Sequence, residues 1–175
     1  MTYEIDTKDL KRLSKNLRYG DKVLLSGTVF TARDAAHKRI AEMIKNGENL
    51  PFEIDGAVIY YAGPTPTPDN LAIGSCGPTT SCRMDSFTPA LLDMGLAATI
   101  GKGERNQSVI DAIVRNKSVY LCALGGAGAL AAKRITKCDV IAFEDLGCES
   151  VKKLRFDKFP LIVGIDSLGG NIFKR

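Results

Sequence analysis

Histidine is almost absent from these 175 residues: His37 stands alone. The five cysteines, at positions 76, 82, 122, 138 and 148, include no C-x-x-C pair. A self-contained zinc or iron–sulfur site draws on closely spaced Cys and His ligands, so this composition argues against either one. The odd, irregularly spaced cysteines read instead as reduced and mostly buried thiols, which suits the cytoplasm. Long apolar runs are missing too. The longest, Val119 to Ala132, is rich in glycine and short of the about 20 residues a bilayer span needs. No sign of charge dominates: 24 Lys and Arg face 20 Asp and Glu, a net +4. That excess is too small and scattered for nucleic acid, but it suits an anionic small molecule or an acidic partner. Internal repeats, low-complexity tracts and a signal-peptide pattern are likewise absent. The expectation is a soluble cytoplasmic protein, and the ordinary 45% hydrophobic and 25% charged content excludes disorder.

What is present alternates between strand-like and helix-like runs. Asp6 to Arg18 reads as a basic amphipathic helix with Leu10, Leu13 and Leu17 on one face. It is either a docking arm, making residues 1–20 an appendage to a single domain over 21–175, or a helix packed on its own domain. Val23 to Gly27 predicts a strand. Thr31 to Asn46 predicts the strongest helix, capped by Thr31 and stopped by Gly47. Strands are expected at 57–61, 71–75, 97–100, 119–124, 140–143, 152–156 and 161–165, with helices at 89–94, 104–115 and 127–135. This order argues an α/β fold with a mixed, partly parallel sheet.

Three polar segments sit where a strand-like run meets a helix-like run. The densest is Gly77-Pro78-Thr79-Thr80-Ser81-Cys82-Arg83-Met84-Asp85. It joins a turn signal to adjacent hydroxyls, a guanidinium and a carboxylate, and so predicts a small-anion site. The others are Gly27-Thr28-Val29-Phe30-Thr31-Ala32-Arg33-Asp34-Ala35-Ala36-His37 and Gly101-Lys102-Gly103-Glu104-Arg105. Helix N-termini there would offer unpaired N–H groups to an anion. Arg33 at such a terminus is disfavoured unless an anion lies beside it, although a surface pairing with Asp34 or Glu48 is the plainer alternative. His37 shares a helical face with Arg33. Asp85 is expected to pair with Arg83 or to cap the next helix.

Thr-Ala-Arg-Asp-x-Ala-His, Gly-Pro-Thr-Thr-x-x-Arg-Met-Asp and Gly-Lys-Gly, in this order, resemble the β subunit of the iron–sulfur hydro-lyases, the class I fumarate hydratases and L-tartrate dehydratases. The resemblance runs from about Gly20 to the end and takes in Gly125-Gly126-Ala127, Glu144-Asp145-Leu146-Gly147 with Glu149, and Asp166-Ser167-Leu168-Gly169-Gly170-Asn171. It implies a swivelling β/β/α-type domain and reversible hydration of fumarate to malate, or loss of water from a tartrate. It implies that Arg33, Arg83 and Lys102 clamp the substrate carboxylates, that Thr80 hydrogen-bonds the substrate, and that Thr79 takes the place of the base. Asp34, His37 and Asp85 would orient these groups. The resemblance also implies a [4Fe-4S] cluster held by a separate α subunit, no metal bound by this chain, and a heteromeric assembly. Ser81-Cys82 departs from the smaller residues common there, which bears on pocket shape.

A rival motif is Gly126-Ala127-Gly128-Ala129-Leu130-Ala131, which matches G-x-G-x-x-A. Glu144-Asp145 follows about 20 residues on, as in a dinucleotide fold. Only 30 residues follow Asp145, too few for the rest of such a domain. A non-catalytic nucleotide- or anion-binding module is therefore the alternative from a different class.

Overall fold

The computed structural model describes residues 1–174. In chain order these form β1 (Thr2–Asp6), α1 (Thr7–Leu13), β2 (Lys22–Thr31), α2 (Asp34–Asn46), β3 (Val58–Tyr60) and α3 (Thr88–Asp93). There follow β4 (Ala98–Gly101), α4 (Gln107–Asn116), β5 (Val119–Cys122), α5 (Gly128–Ala132), β6 (Ile135–Ala142) and β7 (Val151–Ile165). Short 3-10 turns occupy Ser14–Asn16, Ser81–Met84 and Glu144–Glu149. The sheet is mixed, as expected. Strands β1 to β5 pair in parallel, each with the next, while β7 runs antiparallel to β2, β5 and β6.

Because β7 pairs with both β2 and β5, the sheet curls back and closes a ring of β2, β3, β4, β5 and β7. Strand side chains alternate between faces, and the two hydrophobic clusters follow that alternation. Val58, Tyr60, Ala98, Ile100, Val119 and Leu121 point into the ring with Leu154, Phe156 and Val163. Ile59, Tyr61, Tyr120 and Ile165 point outward, under Ile40 of α2, Leu91 of α3 and Val109 and Ile113 of α4. Gly47, in the left-handed region, ends α2, and the Asn106 side chain caps α4.

Several sequence expectations are corrected. Residues 1–20 are not an arm. Thr2–Asp6 is a strand in register with Lys22–Ser26, and Leu10 and Leu17 are buried on the same domain. The polar, half-exposed Thr-Tyr-Glu-Ile-Asp carries too little apolar alternation to announce this. Strand β2 runs on to Thr31 because β7 supplies backbone partners as far as Phe30. Thr31 therefore ends a strand instead of capping α2, and its Oγ1 accepts the Lys152 N–H at 3.0 Å. Residues 71–75 form turns held by Thr65, whose Oγ1 accepts the Ser75 N–H at 2.8 Å. The helix predicted over 127–135 shrinks to Gly128–Ala132, and β6 begins at Ile135. The two closing strands are one, passing through Lys158 at φ 47°.

Gly101 ends β4 where three elements meet. A Cβ there would fall on Ser81 Oγ and lie 2.8 Å from Tyr61 Cδ2. Gly101→Ala should lower unfolding free energy by about 1–3 kcal/mol, read as a reduced urea midpoint. An unchanged midpoint would mean that this crowding relaxes freely.

Candidate functional site

Parallel strands β2, β3, β4 and β5 all deliver their C-terminal ends to one edge of the sheet. Parallel α/β sheets, open or closed into a barrel, bind ligands beyond the carboxyl ends of their strands. The segments leaving it carry the residues singled out from the sequence. After β2 come Arg33 and Asp34, after β3 the run to Thr79–Asp85, after β4 Lys102, and after β5 Gly125.

Direct contacts join these segments. Thr79 N–H donates to the Tyr61 carbonyl at 2.7 Å, tying the Thr-Thr turn to the end of β3. Thr80 forms a parallel bridge with Lys102, and Ser81 N–H donates to the Lys102 carbonyl at 2.9 Å. The Lys102 side chain crosses Gly125, where an added Cβ would lie 3.5 Å from its Cδ. Arg83 Nε donates to Asp34 Oδ1 at 2.9 Å, and Arg33 Nε lies 3.7 Å from Asp34 Oδ2. Arg33 thus meets Arg83 through one shared carboxylate. Glu149 adds a second, its Oε1 3.6 Å from Arg33 Nε and accepting the Ala35 N–H at 3.2 Å. The partners of Arg33 are therefore Asp34 and Glu149 rather than Glu48. Two acidic groups at the N-terminus of α2 offset the cation placed there. Lys102 meets no carboxylate among the ion pairs of the described residues.

The site is an open face. Thr80, Cys82 and Arg83 are exposed, and Thr79, Lys102 and Arg33 half-buried. The cavities of about 120 to 400 Å³ in the described residues are lined by other side chains.

Beneath this face lies a residue to which the sequence assigned no role. Arg105 is buried, and its Nε donates to Asp85 Oδ1 at 2.6 Å. Its Nη1 donates to Thr99 Oγ1 at 3.1 Å, and its Nη2 to Thr88 Oγ1 at 2.7 Å and to the Tyr61 hydroxyl at 3.2 Å. The guanidinium carbon lies 5.2 Å from the Tyr61 ring centre and 5.0 Å from that of Tyr120. Asp85 Oδ2 accepts the Asn106 N–H at 2.7 Å, so this carboxylate serves the start of α4. Asp85 therefore pairs with Arg105 and not with Arg83, and its side chain does not cap α3. Tyr120 completes the network: its hydroxyl donates to the Gly103 carbonyl at 2.9 Å and accepts from Ser81 Oγ at 2.8 Å. Lys152 is the other buried cation without a predicted role. Its Nζ donates to Ser150 Oγ at 2.7 Å and to the carbonyls of Cys148 and Gly147, which holds the turn that carries Glu149.

His37 is fully buried. Its Nδ1–H donates to the Arg33 carbonyl at 2.9 Å, the acceptor also used by the His37 backbone N–H at 2.8 Å. The ring sits between Tyr61 and Phe87. Burial pushes its pKa down from 6.5 to about 4, so at neutral pH it adds no charge beside Arg33.

A family model described as Fumarase C-terminus matches residues 2–175. The chain belongs to that family. It is 39% identical over 176 residues to fumarate hydratase 2 of Leishmania major, covering 95% of this chain and 31% of that protein. It is 38% identical over 156 residues to the aerobic class I fumarate hydratase of Escherichia coli K12, covering 88% of this chain and 28% of that one. It is 32% identical over 177 residues to the L(+)-tartrate dehydratase subunit beta of E. coli K12, covering 98% and 85% respectively. The chain thus spans about a third of the fumarate hydratases it matches, and most of the tartrate dehydratase subunit.

In this fumarase C-terminus domain the rival Gly126–Ala131 motif opens a helix of only five residues, and Asp145 is bound by Arg39 at 2.8 Å. Among the described residues no group of three or more His, Cys, Asp or Glu could hold a metal. Burial pushes the Cys76 thiol up to about 12 and the Cys122 thiol up to about 11, far from thiolate at neutral pH. No described helix is long and apolar enough to cross a membrane.

Two predictions follow from the buried groups. Arg105→Met should cost about 3–5 kcal/mol, because Asp85 is left buried and uncompensated. Urea denaturation reads the loss, and a cost under about 1 kcal/mol would refute it. The His37 ring binds its proton less readily in the folded than in the unfolded chain. Its contribution is therefore complete above pH 6.5 and is lost as pH falls through about 4. Stability should drop by about 3 kcal/mol across that window, and His37→Asn should remove that part of the slope.

Proposed function

We propose that this chain is one part of a two-part hydro-lyase and that it supplies the groups gripping a small dicarboxylate, in the reversible hydration of fumarate to malate. One observation carries the reading. Arg33 and Arg83, from separate segments, share the Asp34 carboxylate on an exposed face, and the backbone of Lys102, from a third segment, bridges to Thr80 next to Thr79. Family membership supports it, since the relatives are named as fumarate hydratases and a tartrate dehydratase subunit.

The chemistry follows from what each side chain can do. Guanidinium groups present paired donors in a plane, which suits a carboxylate better than a single ammonium does. Arg33 and Arg83, already oriented by Asp34, would hold one end of the acid. Lys102, which meets no carboxylate among the described residues, would meet the other, and Thr80 would add a hydrogen bond. As a proton leaves the carbon next to a carboxylate, negative charge grows on that carboxylate, and fixed cations stabilise it without reorganising. Thr79 is assigned the proton. A hydroxyl is a weak base, and positive potential from Arg83 and Lys102 is what would make it usable.

Residues of this chain do not suit a [4Fe-4S] cluster. Its buried thiols are held protonated, and no ligand cluster is formed among the described residues. The cluster is assigned to a separate cluster-bearing α subunit, and no step on this chain runs through it. The open face supports this division: a site exposed to solvent needs a second surface to exclude water. Solubility in the cytoplasm accords with that assignment.

One observation favours a second reading, L-tartrate dehydration. One relative of which this chain covers 85% is named as a tartrate dehydratase subunit. Both acids are small dicarboxylates within reach of the same cations. Assays of the assembled enzyme on malate and on both tartrates decide between them.

In that enzyme Arg83→Lys should lower kcat/KM more than tenfold, the order expected when a bidentate carboxylate contact is lost, with the melting temperature unchanged. Thr79→Ser should retain far more activity than Thr79→Val. Equal losses for the two Thr79 variants would remove the hydroxyl from the chemistry.

A further inference from the structure

Outside the candidate site, one apolar area of the surface starts at its rim. Leu124 and Leu130 are each 64% exposed. They line a groove of about 290 Å³ together with the small side chains of Ala127 and Ala131 and with Phe159 and Pro160. A second groove, of about 240 Å³, shares Leu124 and Pro160 with the first and continues through Leu24 and Ile162. Leu124 precedes Gly125, the residue crossed by the Lys102 side chain, so the apolar area and the candidate site are contiguous. Large side chains beside alanines make a relief that receives another surface, and exposed apolar areas of this kind mark contact sites.

Charge narrows the occupant. Lys133 and Arg134 line the first groove and Lys22 the second, and no carboxylate is among the described residues lining either. A second copy docked about a two-fold axis would set these cations against themselves, which disfavours it. Position points the same way. The first groove begins beside Gly125, so a surface seated on it also reaches the candidate site.

We propose that the Leu124–Leu130 area is the seat of the second polypeptide that completes the candidate site, and that it receives an apolar segment edged with Asp and Glu. This rests on the two-part reading above. The test is the affinity of the full chain for the polypeptide that matches the remainder of the single-chain fumarate hydratases, measured by calorimetry. Leu124→Asp and Leu130→Asp should each weaken binding by at least about tenfold. Lys133→Glu with Arg134→Glu should weaken it more at low salt than at high salt. Leu168→Asp, 69% exposed and outside both grooves, should bind within about twofold of the parent, as rim positions do. Circular dichroism checks each fold, and Leu130→Ala replaces any Asp variant that fails to fold. Parent-like affinity in the Leu124 and Leu130 variants would overturn the seat while leaving the two-part reading intact. So would a dimer of the chain alone that those substitutions dissociate. No binding by the parent would overturn both.

Discussion

The buried pair of Arg105 and Asp85 is the contact on which the candidate-site edge depends. Desolvating two charges is costly, and the cost is met only when every donor and acceptor is used. Here Arg105 spends its donors on Asp85, Thr99, Thr88 and Tyr61, while the second Asp85 oxygen takes the Asn106 amide. These partners come from β4, from α3, and from segments following β3 and preceding α4. One guanidinium between two tyrosine rings therefore sets how three segments sit relative to one another. The turn Ser81–Met84 is pinned at one end by Ser81 and just beyond the other by Asp85, so Cys82 and Arg83 face outward.

Upon that support the surface charges divide into held and unheld. Asp34 and Glu149 hold Arg33, and Asp34 also orients Arg83. Among the described residues Lys102 meets no carboxylate, and neutral His37 grips the Arg33 peptide without adding charge. The result is a modest positive surface of defined direction, which suits recognition of a small acid better than a diffuse basic patch would. On the two-part reading proposed above, its openness and the neighbouring apolar grooves belong together, since one second surface would cover both.

Local pattern made much of this readable in advance. Helices α2 and α4 show apolar residues at helical spacing with a stop or cap at their ends, and both formed nearly where expected. The three polar segments were recognisable because each sits at a strand-to-helix junction, and parallel topology brings such junctions to one edge. Arg105 was not recognisable. It lies three residues from Lys102 in a similar polar setting, and nothing nearby distinguishes a cation bound for the interior from one bound for the surface. That difference is made by Tyr61, Thr88 and Tyr120, which are distant in sequence.

The amino-acid order alone therefore settles the local periodicities and the turn chemistry and nominates the polar side chains of the candidate site, because these depend on near neighbours. Ring closure through β7, the strand at the N-terminus, the exchange of Asp85 from Arg83 to Arg105, and the arrival of Glu149 beside Arg33 needed the folded chain. Each is a pairing between segments far apart in sequence, whose register and burial exist only once the sheet has closed.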